Sequence, residues 1–353
     1  MTPRKKLNAE AAKRVLIFDG AFGTQIQNRK LGESDYAGDL GLKADQKGNN
    51  DILALTRPDV IRDITRAYLD AGSDIISTNT FSANTISQAD YAAEAIVDDI
   101  NIASARIARE LADEYEARDA KNGIGRPRFV AGAIGPTNKT LSLSPDVEDP
   151  GFREITFDHL VDVYHQQAAG LVKGGADFIL IETIFDTLNA KAGIFAVKKL
   201  ARELDRDVPV MLSMTLTDLS GRNLSGHTVE AFWYAVRHAN PITIGLNCSF
   251  GAEQLRPHVQ LLSQIAPTLV MAYPNAGLPN ELGEYDEAPE TTAELVQQWA
   301  QNGRVNILGG CCGSTPEHIA AMAQAVQGLP PRIVPAEDAK MRLAGLEPFE
   351  IAA

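Results

Sequence analysis

The sequence predicts an α/β protein of the (β/α)8 TIM-barrel class, and three observations carry that prediction. Eight short apolar runs rich in β-branched residues recur along the chain. Between most of them lie segments with helical spacing of apolar residues, such as Val60–Ala71, His159–Val172 and Ile319–Val326. Loops are short where they enter the runs and long where several of them leave. Near-continuous apolar strands alternating with amphipathic helices indicate a buried parallel sheet, and eight such units indicate closure. A doubly wound open sheet would use the same alternation but would more often stop at five or six strands.

The runs are VLIFDG ending at Gly20, DIISTNT at Thr80, FVAGAIG at Gly135, FILIET at Thr183, PVMLSMT at Thr215, ITIGLNC at Cys248, TLVMAYP at Pro274 and VNILGGC at Cys311. Ala71-Gly72-Ser73 and Asn302-Gly303-Arg304 are short entries, whereas residues 32–51, 135–151, 217–228 and 274–290 are long exits rich in Gly, Asn, Asp and Pro. Long loops gathered at the carboxyl ends of strands mark the working face of a barrel. The reading is one domain: an N-terminal extension over 1–13, a barrel over 14–330, and a linker-like tail over 331–353. The extension is a candidate cover for the other end of the barrel. Thr56 and Asp186 read as caps or near-caps of the helices that follow them.

With 353 residues, the chain has the length of one large barrel with insertions. A net charge of −13 disfavours a phosphate-tracking surface, so no nucleic-acid partner is expected. No apolar run approaches the roughly 18 residues of a membrane span, and the basic N-terminus lacks the apolar core of a signal peptide. A soluble, cytoplasmic protein is the expectation. Three cysteines cannot form a disulfide framework and remain as free thiols or metal ligands.

All three cysteines fall at predicted strand ends, Cys248 on the sixth and Cys311-Cys312 on the eighth. Any one alone would read as a small buried residue, but three on one rim point to a metal. Consecutive side chains on a strand face opposite ways, so both doublet sulfurs reach one ion only where the backbone turns sharply. Gly309, Gly310 and Gly313 permit such a turn. A vicinal disulfide and a glycine-rich phosphate cradle are competing uses of the doublet. Three thiolates on Zn²⁺ leave a fourth position open, the arrangement of a catalytic site. A substrate thiol entering there binds deprotonated and stays nucleophilic.

Beyond these patterns, DGAFGTQIQ, NNDILALTRPDVI, STNTFSAN, GAIGPTNKTLS, ILIETIFDTLNAK, GLNCSFG, YPNAGLPN and GGCCGSTPEHI together resemble the homocysteine S-methyltransferase family. Within it they are similar to the homocysteine-binding module of cobalamin-dependent methionine synthases, over essentially residues 14 to 350. The resemblance implies homocysteine as the thiol. It assigns Glu182 to the substrate ammonium and the turn formed by Asp19, Gly20, Ala21 and Thr24 to the α-carboxylate, received at a helix N-terminus. It makes Asn275 an oxygen ligand when homocysteine is absent; a turn-forming Asn is the plainer use. No histidine has Asp two residues before it, so the D-x-H-x-x-G signature of cobalamin modules is missing. The implied arrangement is a homocysteine-binding subunit that gives methionine with methylcobalamin carried by a cobalamin- and folate-binding protein in trans. A self-sufficient enzyme using S-methylmethionine and a noncatalytic zinc and amino-acid binding module are the alternatives.

Overall fold

The computed structural model describes residues 1–337 and 339–351. Eight parallel strands form one sheet: β1 (Leu16–Ile17), β2 (Ile75–Ser77), β3 (Phe129–Ile134), β4 (Phe178–Ile184), β5 (Val210–Met214), β6 (Thr243–Gly251), β7 (Leu269–Asn275) and β8 (Ile307–Leu308). Each pairs with its sequence neighbour from β2 through β8, and β1 returns to β8 with Leu16 opposite Ile307. A single parallel bridge between Phe18 and Ile75 joins β1 to β2, supported by Asp74 N–H donating to Ile17 O at 2.7 Å and Asp19 N–H to Ile75 O at 3.1 Å. The sheet is therefore an α/β barrel of the TIM type.

All eight predicted runs supply a strand, with two differences of extent. β1 and β8 are only two residues long, because the glycines and Asp19 that follow them leave the ladder to build the rim. β6 instead runs three residues past Cys248, through a register shift between Asn247 and Gly251. The helices anticipated at Val60, His159 and Ile319 form as Pro58–Asp70, Phe157–Gly174 and Pro316–Ala325. Asp186 caps the helix Thr187–Glu203, accepting from Leu188 and Asn189 N–H. Thr56 does not cap: Arg57 holds the N-cap position of Pro58–Asp70, and the Thr56 hydroxyl turns back to Ile52 O.

Side chains pack two cores. The inner one fills the barrel with Leu16, Phe18, Ile75, Phe129, Phe178, Met211, Met271 and Ile307, while a larger one seals the strands against the helices. The N-terminal segment joins the inner core. Thr2 caps the helix Pro3–Ala11, whose Leu7 and Ala11 are completely buried against the barrel interior. Arg4 fixes this helix to Asp207, in the loop entering β5, at 2.7 Å. That places it at the amino ends of the strands, where barrels carry stability rather than chemistry.

Among the described residues after 330, none adds a strand to the barrel, yet Arg332 and a hairpin are anchored to it. Arg332 is 3% exposed and donates to the carbonyls of Ser263, Thr268 and Ala266. Further on, Arg342–Ala344 and Pro348–Glu350 form an antiparallel hairpin. It lies on the helix Val229–Val236, where the Arg342 guanidinium sits 5.3 Å from the Tyr234 ring centre and Thr228 N–H donates to Leu346 O.

Candidate metal and substrate site

The three cysteines converge at the carboxyl ends of β6 and β8. The sulfur of Cys248 lies 3.7 Å from that of Cys312, and all three Sγ atoms fall within 4.8 Å of one another. On β6 this requires backbone strain, since Cys248 and Ser249 both take φ of +62°. A left-handed non-glycine residue costs on the order of 1–3 kcal/mol and persists where its surroundings impose it. The doublet turns differently from the way its glycines imply. Only Gly313 adopts positive φ, at +79°. Gly309 and Gly310 are required by space: a Cβ on Gly310 would stand 2.3 Å from Ser314 Oγ, and one on Gly309 2.8 Å from Phe18 Cβ.

Neighbouring strands fix this turn. Cys311 N–H donates to Pro274 O at 2.8 Å and Ala276 N–H to Cys312 O at 2.9 Å, lacing the end of β7 to the doublet. Asn247 ties three strands and the turn after β8 together: its amide donates to Thr183 Oγ1 and, at 3.8 Å, to Cys311 Sγ, while its oxygen accepts from Ser213 Oγ and Thr183 N–H. Asn275 is buried on β7, and its side-chain oxygen has no hydrogen-bond partner. An orphaned buried acceptor is costly, so this oxygen is left with capacity for a ligand.

Three thiols this close cannot all ionise without a cation. Hydrogen bonds from Cys248 and Cys311 hold Cys312 below the ordinary thiol range, while the same sharing, led by Cys248, pushes Cys311 up. Tyr285 adds another donor to Cys312 and packs over Gly313, where a Cβ would meet its own Cβ at 2.3 Å. A set of three converging sulfurs suits a thiophilic divalent ion.

Glu182, at the end of β4, lines the same cavity of about 1160 Å³. Burial raises its carboxyl to about 7, against the opposing hydrogen bond from Tyr273, whose hydroxyl reaches Oε2 at 3.0 Å. Asp19 is 1% exposed and accepts from Ser77 N–H at 2.7 Å and from the Ser77 hydroxyl; burial raises its carboxyl to about 8. Gly20, Ala21 and Thr24 line the cavity as well, at the start of the helix Phe22–Asn28, which no side chain caps. Thr24 has a second task, since its hydroxyl accepts the Gly313 N–H at 3.0 Å and so braces the cysteine turn.

Every residue singled out for metal or substrate thus lies at one rim. Asn247 and Tyr273 lie inside the GLNCSFG and YPNAGLPN motifs but have no role assigned there, and Tyr285 lies outside every motif; their contacts emerge only from the packing. Conversely, His165 pairs with Glu203 and His227 with Ser225, away from the sulfurs.

A closed βα barrel whose rim brings three thiols and a buried carboxylate into one cavity offers residues that could hold a metal ion beside a small ligand. The model of the homocysteine S-methyltransferase family matches residues 16–326, and the chain belongs to that family. It is a methyltransferase. Among solved structures, the homocysteine methyltransferase MmuM from Escherichia coli is similar. Its oxidized form superposes with a TM-score of 0.70 at 21% identity, covering 92% of this chain and 99% of that one. The metallated form gives 0.70 at 22% over the same shares, and the apo form 0.65 at 20%, over 92% and 100%. At that identity the likeness speaks for the fold.

Proposed function

We propose that this protein methylates the thiol of homocysteine, giving methionine, with Zn²⁺ held by Cys248, Cys311 and Cys312. The observation that carries this reading is the convergence of three sulfurs within 4.8 Å in a cavity that also exposes Glu182. Zinc bound there would lower the pKa of the substrate thiol and leave it nucleophilic. The chain's own residues do the rest. Glu182, oriented by Tyr273, receives the ammonium of the amino acid. The Gly20–Thr24 turn offers backbone N–H groups to its carboxylate. Asn275 Oδ1 would be a further ligand to the metal when substrate is absent.

The donor is methylcobalamin carried by a separate cobalamin- and folate-binding protein. Sequence likeness to the homocysteine-binding modules of cobalamin-dependent methionine synthases supports this. Exposed apolar side chains on the rim loops, Val147, Leu219, Leu278 and Leu282, offer contact area to such a partner. Steady-state assays with a methylated cobalamin protein, free methylcobalamin and S-methylmethionine test the reading. The cobalamin protein should give by far the highest kcat/KM, because docking removes the orientational cost that free donor meets at each encounter. Efficient turnover with S-methylmethionine and none with either corrinoid would replace it with a self-sufficient enzyme. Zinc and homocysteine binding without turnover on any donor would mean a noncatalytic module.

A further inference from the structure

The cavity that holds the thiols is larger than one amino acid requires. Pockets of roughly 300–1,000 Å³ suffice for drug-sized ligands, whereas this one measures about 1160 Å³. The sulfurs, Glu182 and the Gly20–Thr24 turn take up one part of its wall. Another part is lined by Asp51, Asn79, Ser82, Tyr91 and Asn138, to which homocysteine binding gives no role.

Asp51 is the unusual member. It is 5% exposed, yet among the described residues its carboxylate receives only Ser82 N–H, at 3.2 Å, and its own backbone N–H. Buried carboxylates that serve the fold in this same chain are far better supplied. Asp74 is held by Arg14, Arg126 and Ile17 N–H. Asp186 accepts from Ser142 N–H, Ser142 Oγ, Leu188 N–H and Asn189 N–H. Asp51 lines the cavity with acceptor capacity that its fold partners leave unused. Burial raises its carboxyl to about 7, as such a deficit requires.

The support beneath Asp51 is rigid. Asn49 and Gln88 exchange amide hydrogen bonds at 2.8 and 3.0 Å, Gln46 donates to Tyr91 O, and Asn79 donates to Asn50 O at 2.7 Å. A locked amide lattice holding an under-supplied carboxylate against a cavity is how a recognition group is pre-organised.

We infer that Asp51 recognises an N–H-bearing group of the methyl donor, with Asn79, held on Asn50 O, beside it. The chemistry admits a primary carboxamide on the edge of a corrin ring or the ammonium of a sulfonium amino acid. The corrin case rests on the donor proposed above, and the ammonium case does not.

Asp51→Asn tests this with three readouts. The KM for homocysteine and the zinc content should stay unchanged. The donor's kcat/KM should fall at least about tenfold, the scale of one lost charge-assisted hydrogen bond. Comparing methylcobinamide with methylated cobyrinic acid, whose side chains are carboxylates, reports on the same contact from the ligand side. In wild type the acid form should be much the poorer donor, and Asp51→Asn should narrow that gap. S-Methylmethionine in parallel identifies the source, since a selective loss there assigns the ammonium. Calorimetric binding of dicyanocobinamide and of S-methylmethionine to wild type and variant needs no turnover, so it separates failure of this inference from failure of the proposed donor. Should the variant not fold, the two corrins on wild-type protein decide. Equal donor parameters in wild type and variant, a rise confined to the homocysteine KM, or no preference between the corrins together with unchanged S-methylmethionine binding would overturn the assignment.

Discussion

The Tyr273 hydroxyl donates to Glu182 Oε2 at 3.0 Å, joining the carboxyl ends of β7 and β4 through the barrel interior. The bond lowers the Glu182 pKa against the burial that raises it. It also occupies one carboxylate oxygen. Tyr273→Phe should therefore move the acid limb of the kcat/KM profile for homocysteine to higher pH, because Glu182 must be ionised to hold an ammonium. At pH 7 the loss should be about 0.5–1.5 kcal/mol, shrinking as pH rises. An unshifted limb would show that Tyr273 does not act through Glu182.

Glu182→Gln should weaken homocysteine binding by roughly 1.5–3 kcal/mol and leave zinc in place. Stability should respond in the opposite sense. A carboxyl raised to about 7 in the folded state binds its proton more tightly there than when unfolded. Its contribution is complete below the unfolded pKa and is lost as pH rises through about 7. Urea midpoints at pH 5, 6.5 and 8 should show wild type losing stability relative to the Gln variant over that span, and parallel curves would contradict it.

Purified protein should contain about one zinc per chain with three sulfurs in its X-ray absorption shell. Cys311→Ala and Cys312→Ala should each lose metal and methyl transfer while retaining the barrel's circular dichroism. Global unfolding of both would make the centre structural.

Homocysteine binding should release close to one proton near neutral pH, because the thiol joins the metal as thiolate. Calorimetry in buffers of different ionisation enthalpy measures this directly. Heats independent of buffer would argue against thiolate coordination.

Gly310→Ala should release zinc with a stability loss of about 1–3 kcal/mol. The new Cβ would stand 2.3 Å from Ser314 Oγ and 2.4 Å from Ser314 Cβ, so the doublet turn must move. Unchanged zinc affinity would mean that the turn adapts elsewhere.

Eight apolar runs, the long loops at their carboxyl ends and the cysteines on two of them were legible along the chain, because burial on both faces of a parallel strand writes a local pattern and rim residues follow it directly. Glu182, the lone acid in FILIET, stood out for the same reason. Other features have no local signature. Left-handed φ at Cys248 and Ser249 arises from where β6 must deliver a sulfur. Gly310 looks like a flexible hinge in sequence and is in fact an absence of side chain demanded by Ser314. Asn247, Tyr273 and Tyr285 acquire their partners from strands and loops far away in sequence, and the tail becomes a hairpin only because Tyr234 and Thr228 are there to receive it. Periodicity and residue chemistry are properties of neighbours along the chain. Hydrogen-bond partners, steric gaps and the sharing of protons among three thiols are set by distances that exist only once the barrel has closed.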